Sequence, residues 1–282
     1  MSARPRKALG QHFLSHPPLL AKIAAVTGAT VEHVVLEIGP GRGALTEALL
    51  DRGATVVAIE RDERLQALLV RRFSDRDFAL VTGDALELDW PALVTPWTAA
   101  GKSWLVAGNI PYNITSPLLN QALTPPLPVS VTFLVQREVA DRVVATPSSK
   151  DYGGLSIGIQ AVAHVKRQFT VDKRAFAPPP KVDSAVLHLI PRSPALVAPE
   201  RIPAFRRLVT SVFSYRRKRM VKALREAVGI DAERAAEVLR LAEIDPDLRP
   251  ENVDVAGYIR LLAVLSNGDL PGRRVAFSRS QP

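Results

Sequence analysis

The 282-residue chain contains no cysteine. This excludes a disulfide scaffold, a cysteine nucleophile, a thiolate zinc site and an iron–sulfur cluster together, and suits a reducing, cytosolic compartment. No run approaches the roughly 18 consecutive apolar residues of a membrane-spanning helix. The basic opening MSARPRKALG is not followed by the apolar core of a secretory signal. A soluble, cytoplasmic protein with no membrane partner is expected. Dominant disorder is also excluded, because 47% hydrophobic and 23% charged residues of mixed sign are ordinary globular usage. The length suits two domains of ~100–200 residues.

Acid is missing from two places. Between Arg201 and Arg225 there are nine Lys or Arg and no Asp or Glu, an excess equal to the formal net charge of the whole chain, +9. The next stretch, 226–258, reverses this with nine acids and three arginines. At the other end, Arg4, Arg6, Lys7 and Lys22 precede the first acid, Glu32. A concentrated basic face attracts polyanions, of which nucleic acid is the commonest. On charge alone a solvated helix face is an equal alternative.

Residues 34–190 alternate short β-rich runs with helical patterns, which predicts βαβ units on a largely parallel sheet. Strands are expected at Val34–Ile38, Thr55–Ile59, Phe78–Thr82, Trp104–Ala107 and Val129–Val135. An antiparallel pair at Ala161–Val171 and Ala185–Ile190 closes the sheet. The runs are almost continuously apolar, as strands covered on both faces are. Four prolines then fall within PRSPALVAPERIP (191–203) and predict a linker. Helices follow at Ala204–Phe213, Arg217–Val228, Asp231–Leu241 and Val253–Leu265. The expected layout is a catalytic domain over 1–192, a linker over 193–203, a helical domain over 204–270 and a flexible tail over 271–282.

Val-Val-Leu-Glu-Ile-Gly-Pro-Gly-Arg-Gly (34–43) sets Gly39, Gly41 and Gly43 directly after the first of these strands and before a helix. Glycine there permits a sharp turn and close approach to a ligand. Glu60 ends the next strand, where an acid suits the two hydroxyls of a ribose. Asp84 follows the third, where a carboxylate can accept an amine hydrogen from adenine. A nicotinamide site needs G-x-G-x-x-G to place a pyrophosphate on helix N–H groups; this loop is G-x-G-x-G and carries Glu37 two residues ahead. S-adenosylmethionine has no phosphate and bears a sulfonium and an ammonium, so a nearby acid favours it.

Asn109-Ile110-Pro111-Tyr112 follows the fourth strand, at the carboxyl edge where α/β sheets bind ligands. Its chemistry suits methylation of a planar amine. The Asn109 side-chain carbonyl and the Ile110 backbone carbonyl can each accept one amine hydrogen, Pro111 stiffens the turn, and Tyr112 offers a flat face to a base, with stacking worth ~1–3 kcal/mol. A Pro-containing turn with a buried tyrosine is the structural alternative. The other histidines, 16, 33, 164 and 188, have no ligand spacing, so no metal is expected.

With LGQHFL (9–14), LVQREVADR (134–142), KDYGGLSIGIQ (150–160), FAPPPKVDSAV (176–186) and YRRKRMVKAL (215–224), these motifs make the chain similar to the KsgA/RsmA family of small-subunit ribosomal RNA adenine N6-dimethyltransferases. The resemblance covers nearly the whole chain. It implies a Rossmann-like α/β S-adenosylmethionine-dependent methyltransferase sheet with a small all-helical C-terminal domain. The donor would be S-adenosylmethionine, with S-adenosylhomocysteine as product. The acceptors would be two adjacent adenines near the 3′ end of the RNA.

By the same resemblance His12 and Leu14 would cap the donor, and Gly39 and Gly41 would line its methionine part. Glu60 would meet the ribose, Asp84 the adenine, and Asn109 both donor and target amine. Phe176 would close a Tyr112/base/Phe176 stack. The family usually carries Asn where this chain has His12. Arg216, Arg217, Lys218, Arg219 and Lys222 are the expected RNA contacts. The implied partner is the small ribosomal subunit or its precursor, met by a monomer. Two rivals remain: a large-subunit rRNA methylase of the macrolide-resistance type, and a nonenzymatic RNA-binding assembly factor on the same fold.

Overall fold

Branched apolar residues crowd the expected strands, and the computed structural model, which describes residues 12–266, joins them into one sheet. In chain order β1 (Phe13–Leu14) and α1 (Pro17–Thr27) lead into β2 (His33–Ile38), α2 (Ala44–Leu50), β3 (Thr55–Glu60), α3 (Glu63–Arg72), β4 (Phe78–Thr82) and α4 (Trp90–Thr98). Then come β5 (Ser103–Asn109), α5 (Thr115–Ala122), β6 (Val131–Gln136), α6 (Arg137–Val144), α7 (Gly154–Gln160), β7 (Ala163–Val171), β8 (Phe176–Ala177) and β9 (Ser184–Pro191). The seven-stranded sheet has the order β4-β3-β2-β5-β6-β9-β7. Strands β2 to β6 pair in parallel, and β9 is antiparallel to both β6 and β7. Strand β1 pairs only with β8, in a separate two-stranded sheet.

All six residues of β3 are buried, and five of six in β2. This is the continuous apolar pattern of strands covered on both faces. The chain steps outward from β2 through β3 to β4, then returns to β5 on the other side of β2. That reversal opens a crevice beyond the carboxyl ends of β2 and β5. Helix starts are marked by side chains: Asp62 caps α3 by accepting from the Arg64 N–H, and Asp89 caps α4 through the Ala92 N–H.

The described residues divide into two compact units, one formed from 12–141 and 163–191, the other from 142–162 and 192–266. A single cut at 193–203 therefore differs from the observed grouping, because 142–162 associates with the helical unit. The second unit contains α7, α8 (Ile202–Phe213), α9 (Met220–Val228), α10 (Ala232–Leu241) and α11 (Val255–Ser266). Its centre holds Tyr152, Phe205, Met220, Leu224 and Tyr258, each fully buried. The Tyr152 hydroxyl donates to the Val253 carbonyl and that of Tyr258 to the Pro250 carbonyl, both at 3.1 Å. The apolar and hydrogen-bonding demands of the 150–160 motif are met inside this unit.

Two of the four prolines expected in the linker instead open structure, Pro199 beginning a 3-10 turn and Pro203 sitting in the first turn of α8, while Pro191 ends β9. The expected helix over 217–228 begins only at Met220, with Arg219 extended at its cap. Consecutive cations disfavour the positive end of a helix. Arg4, Arg6, Lys7 and the tail 271–282 lie outside the described residues.

Candidate active site

A cavity of about 790 Å³ opens at the carboxyl ends of β2, β3 and β5, within the first unit. Its wall contains His12, Leu14, Gly39, Gly41, Glu60, Asp84, Asn109, Ile110 and Tyr112. Nine residues expected from the sequence thus meet in one place.

The glycine turn is built backward. Gly39, Gly41 and Gly43 have φ of +66°, +60° and +82°, which L side chains rarely adopt. At Gly43 a Cβ would also lie 2.5 Å from the Phe73 ring. The Gly41 N–H donates to Glu60 Oε2 at 3.1 Å, and the Asp62 N–H donates to Oε1 at 2.8 Å. The loop amide that a pyrophosphate would need is already held by a carboxylate. Glu60 is only 6% exposed. Burial raises its pKa, opposed by the N–H groups of Asp62 and Gly41. A carboxylate has about four lone-pair sites, so Glu60 retains capacity for ribose hydroxyls.

Asp84 accepts from the Leu86 N–H at 3.0 Å and pairs with Arg61 at 2.8 Å. Arg61 carries no motif signal, although it directly follows Glu60. Deeper in the same wall, Glu37 is 1% exposed and accepts a 2.6 Å hydrogen bond from Thr46 of α2. Two buried carboxyls beside a glycine turn suit a cationic adenosine compound such as S-adenosylmethionine.

Asn109 ends β5, and its Nδ2 donates to the His12 backbone carbonyl at 2.9 Å. That bond leaves the Asn109 Oδ1 as the acceptor. His12 thus meets Asn109 through its backbone, while its ring stacks on Tyr112 with centroids 5.7 Å apart and planes 22° apart. The His12 Nδ1 lies 2.8 Å from the Pro178 carbonyl. The Tyr112 hydroxyl bonds Ser184 Oγ at 2.7 Å, and burial raises its pKa. Neither Ser184 nor Thr46 carries a sequence signal of its own; only their pairing with Tyr112 and Glu37 identifies them.

Phe176 requires a correction. Its ring is 4% exposed and belongs to a buried cluster with Leu14, Leu20, Leu134 and Val186. Side chains alternate along β8, so Ala177 faces the cavity and Phe176 faces the core. Phe176 is thus not part of the cavity wall, and the ring found against Tyr112 is His12. Replacing Phe176 with alanine is expected to cost about 3–5 kcal/mol of stability, measured by urea denaturation. A purely stacking residue would leave the midpoint unchanged.

In the second unit the basic segment is partly committed to internal contacts. Arg216 pairs with Glu251 at 2.5 Å and donates to the Lys150 carbonyl at 2.9 Å. Arg219 pairs with Asp247 at 3.0 Å. Arg217, Lys218 and Lys222 are exposed to solvent.

The reversal of strand order, the glycine turns after β2 and the acids ending the following strands define a Rossmann-like protein with a cleft for an adenosine-type cofactor. The family model "Ribosomal RNA adenine dimethylase" matches residues 2–265. The chain belongs to that family. It is 42% identical over 259 residues to the "Ribosomal RNA small subunit methyltransferase A" of Phenylobacterium zucineum, covering 91% of this chain and 86% of that one. The protein of the same name from Pseudomonas aeruginosa is 40% identical over 274 residues, 96% of this chain and 97% of the relative. Among solved structures, a dimethyladenosine transferase from Plasmodium falciparum shares the fold at TM-score 0.78 and 24% identity, over 91% of this chain and 98% of its own. The 23S rRNA methyltransferase ErmE superposes at TM-score 0.67 with 27% identity, over 90% and 99%.

Proposed function

We propose that this protein transfers methyl groups from S-adenosylmethionine to the N6 amines of two adjacent adenines near the 3′ end of small-subunit ribosomal RNA, releasing S-adenosylhomocysteine. The observation that carries the reading is Asn109-Ile110-Pro111-Tyr112 standing in the wall of the same cavity as the glycine turn and Glu60. The names of the curated relatives favour the small subunit over the large. The protein acts in the cytoplasm, as a monomer, on the small subunit or its precursor.

The bound donor supplies an electrophilic methyl group. Glu60 would hold the ribose, Asp84 would receive the adenine amine, and Gly39 and Gly41 would let the backbone approach the methionine part. Asn109, oriented by the His12 carbonyl, accepts one hydrogen of the target amine, and the Ile110 carbonyl accepts the other. Together they turn the nitrogen lone pair toward the methyl group, a contribution of orientation rather than of proton abstraction. No strong base is needed, because the amine proton becomes acidic only once the nitrogen carries the new methyl. Tyr112 receives the base after the His12 ring leaves its face.

The deciding experiment incubates the protein with radiolabelled donor and, in parallel, undermethylated small subunits and large subunits, then maps the labelled base. Label on two adjacent adenines of the small-subunit RNA is expected. Label only in large-subunit RNA would establish the macrolide-resistance type, and particle binding without label would establish an assembly factor.

Charge reversal at Arg217 and Lys218 is expected to weaken particle binding. The slope of log affinity against log salt should fall by about one for every phosphate that is no longer neutralised. An unchanged slope would make the patch a solvated face. The same reversal at Arg216 is expected to destabilise the helical unit as well, because Arg216 is tied to Glu251 and Lys150.

A further inference from the structure

The register of the sheet fixes where Glu37 stands. It lies opposite Ala58 of β3 and Ala107 of β5. Side chains recur on one face every second residue. Glu37 therefore shares a face with Glu60, two residues beyond Ala58, and with Asn109, two beyond Ala107. It is one step deeper than both, in the floor of the cavity they enclose.

The charges around Glu37 leave it uncompensated. Helix α2 contributes the Thr46 hydroxyl, while Glu47 of that helix is held by Arg72. Strand β3 contributes the negative Glu60, and Asp84 beyond β4 is engaged by Arg61. The Arg42 guanidinium of the glycine loop lies 4.6 Å from the centre of the Phe13 ring. Strand β5 offers the neutral Asn109, and the segment before β1 offers His12. Among the described residues no cationic side chain pairs with Glu37. Burial pushes its carboxyl up to about 7, with Glu60 adding to the rise and Thr46 opposing it. A buried acid without a cation takes up either a proton or a positive ligand.

We propose that Glu37 distinguishes the cationic methyl donor from its neutral product, being ionised beneath the sulfonium and protonated when a thioether or no ligand fills the pocket. The inference rests on the donor reading above. Donor and product share the adenosine and the ammonium and differ by one methyl and one positive charge, so the sulfonium alone sets the contrast. Below about pH 7, where Glu37 is largely protonated, binding of the donor sends up to one proton from it to solvent. Once the sulfur is neutral the carboxylate takes one proton back, and the residue ends the cycle as it began. Product release is favoured because the neutral carboxyl gives the thioether no electrostatic hold.

Calorimetric titration of the full chain tests this, using S-adenosylmethionine and S-adenosylhomocysteine in two buffers of different ionisation enthalpy. At about pH 6.5 the donor is expected to release most of one proton on binding and the product almost none. The donor's release should fade by about pH 8, where Glu37 is already ionised. Glu37→Gln is expected to abolish the release and lower donor affinity about tenfold while product affinity stays within about threefold. Equal proton release by both ligands, or none by the donor, overturns the proposal; because this is read on the unmodified protein, a misfolded variant does not obscure it. Failure of both ligands to bind would instead overturn the donor site itself.

Discussion

Asn109→Ala is expected to lower the single-turnover rate of methyl transfer by about 100-fold or more, with particle binding kept within about threefold. A factor of 100 corresponds to about 2.7 kcal/mol of transition-state stabilisation, the scale of one well-aimed polar group in an enclosed site. The location of the side chain explains why so much depends on it. Asn109 is the last residue of β5, held by a central strand rather than a loop. Its amide nitrogen is bonded to the His12 carbonyl, which fixes the remaining oxygen as an acceptor facing the cavity. Alanine removes the acceptor and also frees the His12 carbonyl.

Asn109→Asp separates these two effects. It retains an acceptor but places a carboxylate against the His12 carbonyl, so the segment bearing His12 is expected to be displaced and the rate to remain low. Rapid-quench assays with labelled donor measure the rate, and filter binding to undermethylated particles measures the affinity. A rate within tenfold of wild type in Asn109→Ala would remove Asn109 from the chemistry.

The parts of this site that were legible in the sequence share a physical cause. Strands covered on both faces are written as unbroken apolar runs, so β2, β3 and β5 and the residues that end them could be located within a residue or two. Glu60 and Asn109 followed from that placement. Helix α1 lies outside the alternating pattern, although Pro17 and Pro18 open it and Gly28 at φ +74° closes it.

The burial of Phe176 was not legible, because it depends on Leu14↔Phe176 pairing between two-residue strands far apart in the chain. Strands so short have no periodicity to read. Arg216 is a second case. Within its own segment it looks like one of four consecutive cations, and only Glu251, 35 residues on, shows that it is spent on an internal ion pair. The assignment of 142–162 to the helical unit is a third, since the partners of Tyr152 lie beyond residue 200. Local pattern reveals what a segment is; its partners decide which face is free to act.

Gly108→Ala is expected to damage both stability and donor binding, because the site depends on how closely two strands approach. Gly108 is the penultimate residue of β5. A Cβ built there would lie 2.5 Å from the backbone oxygen of Ile38 and 3.3 Å from its nitrogen. Those atoms belong to β2, which is held on its other edge by β3, so they cannot swing aside as a side-chain tip would. Either β2 and β5 separate or the ladder distorts. Overpacking of this kind costs about 1–3 kcal/mol even where side chains can relax, and backbone against backbone should reach the upper end. Ile38 is followed directly by Gly39, and Gly108 by Asn109. The same displacement therefore moves the glycine turn away from Asn109, the proposed acceptor of the target amine, and donor affinity and transfer rate are expected to fall together.

Gly158→Ala is the control. It is also buried, but its added Cβ would meet only the Arg206 Cγ at 3.8 Å, an ordinary contact. In a helix interior this change should be neutral or stabilising by up to about 1 kcal/mol. Urea midpoints for the two variants, with donor titrations on each, measure the difference. A Gly108→Ala protein as stable as wild type and binding donor normally would show that the close approach of β2 and β5 is dispensable.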